Sequence, residues 1–73
     1  MEKILPPLNS GERYLARHVV FRGRDRGLCT VALDTPGRAA VEPFVRETPG
    51  TAFVDGSIVV TEKPDCVILT NIS

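Results

Sequence analysis

Between Leu28 and Asp34 hydrophobic and polar positions alternate. Cys29, Val31 and Leu33 fall on one face, and Leu28, Thr30, Ala32 and Asp34 on the other. A period of two is the signature of a half-buried strand. The same reading extends along the chain. Tyr14 to Phe21 is rich in β-branched and aromatic residues and reads as a strand. A short helix is the rival there, with Asn9 as cap and Glu12 answering it three residues later. Ala39 to Val45 is a further strand, and Pro43 within it implies an edge or a bulge, because proline cannot donate to a ladder. Thr51 to Val54 and Ser57 to Thr61 flank Asp55-Gly56, a two-residue hairpin signal. Cys66 to Ile72 closes the series.

Turn chemistry separates these runs. Arg22 to Gly27 carries two glycines and suits a hairpin loop. Thr35-Pro36-Gly37-Arg38 has the proline and glycine of a type II turn. Glu47-Thr48-Pro49-Gly50 repeats that chemistry, which is no duplication, since such turns recur by chance. The spacing predicts an all-β fold, a small sandwich or barrel of about six short antiparallel strands in meander order. Residues 1–13 read as an irregular N-terminal arm and 14–73 as one β-rich domain. The expected core is Leu15, Val19, Phe21, Cys29, Val31, Leu33, Val41, Phe53, Ile58, Val60, Val67 and Leu69.

The last strand departs from simple alternation. Cys66, Val67, Ile68 and Leu69 are apolar in succession, with Ile72 beyond them. An antiparallel strand with one wet face would alternate. Either this strand lies between two others, or another subunit covers it. The second option predicts a homodimer or a protein partner, with Cys66, Val67, Ile68, Leu69 and Ile72 as the interface.

Size sharpens that question. A domain of 73 residues buries roughly 60% of its unfolded surface and usually needs a staple: disulfides, a metal or a partner. The N-terminal apolar run is short and broken by Pro6-Pro7, unlike a signal peptide, so a cytoplasmic, reducing setting is expected. Cys29 and Cys66 are then free thiols, read as small core residues. With His18 they are scattered, without the close pairs that structural zinc requires, so no metal or cofactor is expected. No apolar run is long enough for a membrane helix.

Candidate chemistry is sparse. His18 is the one histidine, set within a strand, and no serine stands in a nucleophile-elbow pattern. Asp34, Asp55 and Asp65 sit at turns, where backbone bonding explains them. The chain is therefore expected not to be an enzyme. Nine basic and nine acidic residues cancel, so no global field steers it to nucleic acid. Locally, Arg22, Arg24 and Arg26 alternate along the predicted hairpin. They are the candidate contacts for an anion or for nucleic acid, against the plainer reading of a solvated loop.

Four segments in order, Tyr14–Phe21, Leu28–Asp34, Gly37–Phe44 and Phe53–Val60, resemble the N-terminal composite β-sandwich segment of amidohydrolases. The resemblance spans residues 14 to 60. It implies a small β-sandwich. In that family a following strand bears a His-x-His pair for the catalytic metal. Here Thr61 to Asp65 leads into a strand with no histidine, so the resemblance implies the sandwich without the hydrolase.

Overall fold

A computed structural model describes residues 1–35 and 38–73. The fold is all-β, with no helix among those residues. The described residues form nine strands in two sheets: β1 (Glu2–Ile4), β2 (Arg13–Ala16), β3 (His18–Phe21), β4 (Arg24–Asp25), β5 (Cys29–Thr35), β6 (Arg38–Pro43), β7 (Thr51–Phe53), β8 (Ser57–Glu62) and β9 (Val67–Ile72). One sheet has the order β1-β9-β8-β3-β4 and the other β6-β5-β2-β7.

The meander expectation fails at two places. Tyr14 to Phe21 is not one strand. It breaks at Arg17, so β2 lies in one sheet and β3 in the other. The Asp55-Gly56 hairpin is also absent. There the chain passes from β7 in one sheet to β8 in the other. These two crossing ribbons run side by side, so β2 pairs β7 in parallel and β3 pairs β8 in parallel. A backbone that switches sheets can keep both segments paired and still close the core from two sides.

Tight geometry fixes the second crossing. Gly56 has φ +86°, and a Cβ there would collide with the Ile72 carbonyl. Asn71, the one buried polar residue among those described, donates from Nδ2 to the carbonyls of Asp55 at 2.8 Å and Ser57 at 3.0 Å. The Asp55 carbonyl lies just before β8 begins, and the Asn71 side chain supplies it with a donor.

Between the sheets lie Ile58, Val19 and Val31, the largest fully buried side chains. Ala16, Cys29, Val60 and Leu69 join them. Two expected core residues lie outside: Leu33 is 39% and Phe53 53% exposed. Leu33 precedes a register shift in the β5–β6 ladder, and Phe53 ends the edge strand β7. Pro43 does end an edge strand, β6. The type II turn centred on Pro36 and Gly37 lies outside the described residues.

The N-terminal segment is not an irregular arm throughout. Glu2–Ile4 pairs antiparallel with Thr70–Ile72 of β9. Leu5 and Leu8 enter the core. The Tyr14 hydroxyl donates to the Pro6 carbonyl at 2.8 Å and ties the segment down. Asn9 N–H donates to Glu12 Oε1 at 2.8 Å, one half of a capping box, while Glu12 N–H donates to the Asn9 backbone carbonyl at 3.0 Å, the bond of a turn. Here the pair closes a turn into β2 and starts no helix.

Candidate functional site

The arginine arm is a tight β3–β4 hairpin. Its central residues Arg22 and Gly23 have φ 53° and 77°. Positive φ at both positions is the type I′ geometry that matches strand twist. Phe21 consequently faces Arg24 across the ladder. The three arginines then diverge in environment. Arg22 lies 4.8 Å from the Phe21 ring centroid, and its Nε donates to Glu62 Oε1 at 3.1 Å. Arg26 lies 5.6 Å from the same ring, and its Nε and Nη2 donate to the Phe21 carbonyl at 3.3 and 3.2 Å. Arg24 is exposed. The structure thus gathers Arg22 and Arg26 about one aromatic ring.

The nearby carboxylates are occupied. Asp25 Oδ1 accepts from the Gly27 N–H at 2.8 Å, and Oδ2 lies 3.0 Å from His18 Nδ1. The Gly27 N–H, followed by the His18 contact, holds the Asp25 carboxyl below its ordinary range. Glu62 Oε2 accepts from the Ala39 N–H at 3.2 Å. That bond, then Arg22, lowers the Glu62 carboxyl in the same way.

Among the described residues, two clefts stand out. The first, of about 220 Å³, is lined by Phe21, Arg26, Cys29, Val41 and Pro43. Cys29 is buried, and its Sγ donates to the Arg26 carbonyl at 3.2 Å. Burial pushes this thiol up, so it stays neutral near pH 7 and is a poor nucleophile. The expectation of two core thiols holds for Cys29 only. Cys66 is exposed in the β8–β9 turn, where Lys63 N–H donates to the Cys66 carbonyl at 2.8 Å.

The second cleft, of about 200 Å³, is an apolar groove bounded by Ile4–Leu8, Leu33 and Val67–Leu69. Its origin is chemical. β1 follows β9 as far as Thr70, and the Leu5 N–H adds the Leu69 carbonyl at 2.8 Å. Next come Pro6 and Pro7, which have no N–H to continue the ladder. The segment turns away and the groove opens beside Val67 and Ile68.

The final strand is therefore flanked within one chain, by β1 and β8. Leu69 is buried, Val67 and Ile68 are half-buried, and Cys66 and Ile72 are exposed. Sequence reasoning missed Glu62, Leu5 and Leu8. Glu62 meets Arg22 across 40 positions, a separation no local pattern signals. Among the described residues no three His, Cys, Asp or Glu side chains group to hold a metal, and no helix is long and apolar enough to cross a membrane.

Comparison with known proteins adds one likeness. The chain is 36% identical over 67 residues to a diaminopimelate epimerase of Streptomyces coelicolor. The match takes in 80% of this chain and 23% of that protein. The chain thus spans under a quarter of the relative it matches. No protein-family model matches the chain, and no solved structure matches it.

Proposed function

We propose that the chain is a non-catalytic β-module that works by contact with protein, and that a second copy of the chain fills its apolar groove. The observation that carries this reading is the groove itself. Of its lining residues, Ile4 is 70% exposed and Leu33 39% exposed. The thiols are free, so no disulfide supports this small domain, and a partner over the groove would cover its apolar surface. Zero net charge raises no electrostatic barrier to self-association.

The likeness to an epimerase supports a β unit of epimerase-like sequence. Inverting a carbon centre takes an acid and a base on opposite sides of one cleft. Cys29 lines the Phe21 cleft, whereas Cys66 lines neither cleft. A single chain is therefore expected not to epimerise diaminopimelate. Incubation with diaminopimelate in deuterated buffer, read by loss of the α-proton NMR signal, tests this. No exchange above buffer is expected. Exchange proportional to protein concentration would overturn the non-catalytic reading. The contact reading is tested by solution mass, with Ile4→Asp expected to weaken association.

A further inference from the structure

The Phe21 cleft combines one presented cation with apolar walls. A guanidinium has five N–H donors. In Arg26 the Phe21 carbonyl takes the Nε/Nη2 edge. This bond, together with the ring 5.6 Å away, fixes the plane of the group. The Nη1/Nη2 edge has no carboxylate partner among the described residues. Asp25 and Glu62 are committed elsewhere, Asp25 to His18 and the Gly27 N–H, Glu62 to Arg22 and the Ala39 N–H. Such an edge matches the two oxygens of a carboxylate.

We propose that this cleft binds a small monocarboxylate, its two oxygens on the Nη1/Nη2 edge of Arg26 and its apolar body among Phe21, Val41 and Pro43. At about 30 Å³ per water-sized group, the volume corresponds to about seven non-hydrogen atoms, room for a five- or six-carbon acid. A phosphate dianion suits the site less well. It would need a second cation, and Arg22 is paired with Glu62. The neutral thiol of Cys29 at the wall adds no repulsion.

The probe is 4-methylpentanoate, titrated into the isotopically labelled chain and followed by amide NMR. The neutral 4-methylpentanamide, acetate and inorganic phosphate serve as comparisons. Saturable shifts are expected at the amides of Arg26, Cys29 and Val41. The amide, acetate and phosphate should each bind at least about tenfold more weakly, the range a charge-assisted pair and a buried apolar body command. Arg26→Gln should lose the same factor while keeping a dispersed spectrum. If that variant unfolds, the contrast of acid with amide on the native chain decides. Equal response to acid and amide, shifts that do not saturate, or phosphate binding as tight as the acid would each overturn the proposal.

Discussion

The Asn71 side chain donates to the Asp55 carbonyl at 2.8 Å, joining the last strand to the crossing between the two sheets. The same nitrogen reaches the Ser57 carbonyl. Replacing Asn71 with alanine removes both bonds in a part-buried place and takes from the Asp55 carbonyl, outside the ladder, its side-chain donor. Leaving such groups unpaired costs about 1–3 kcal/mol. Urea unfolding of Asn71→Ala is expected to show a loss of about 2 kcal/mol. A loss within about 0.5 kcal/mol, typical of a surface position, would mean that the crossing does not depend on this side chain.

Asp25 and Glu62 both have carboxyls held below their ordinary range, by backbone N–H groups first and by His18 and Arg22 next. A depressed folded value favours the folded state wherever the carboxylate is ionised. This stabilisation is fully present above the unfolded values, about 3.9 for Asp and 4.3 for Glu. It is lost as pH falls through the lower folded values. The urea midpoint should be flat in these groups above about pH 5 and decline below about pH 4. Asp25→Asn and Glu62→Gln should each flatten that decline. An unchanged acid limb in both variants would contradict the assignment.

The two thiols should differ sharply in reactivity. Cys29 is buried and pushed up, whereas Cys66 is exposed in a turn. A thiol reagent applied to the native chain is expected to modify Cys66 quickly, and Cys29 only when denaturant is added. Equal rates in the native state would place Cys29 outside the core.

Much of the fold was legible in the sequence, for local reasons. The alternation around Val31 marks β5, and Pro43 marks an edge. Gly23 marks the turn of the arginine hairpin, and Gly27 marks where the chain leaves it. What periodicity cannot carry is the identity of a strand's neighbour. The break at Arg17 and the parallel pairing of Val19 with Ile58 depend on contacts distant in sequence. Leu5 and Leu8 were hidden by the prolines between them, which read as an extended arm although their neighbours fill the core. At the candidate site the arginines were visible as a cluster. Their division was not, because Arg22 is claimed by Glu62 from 40 positions away, and Arg26 is set by the carbonyl of Phe21.

The central claim is that the chain works by contact, with a second copy over the groove beside Ile4 and Leu33. The most direct measurement is absolute mass by light scattering over a wide range of protein concentration. The account expects the mass to rise to twice that of the 8.0 kDa chain, with Ile4→Asp shifting the transition to higher concentration. A mass fixed at one chain throughout would contradict it.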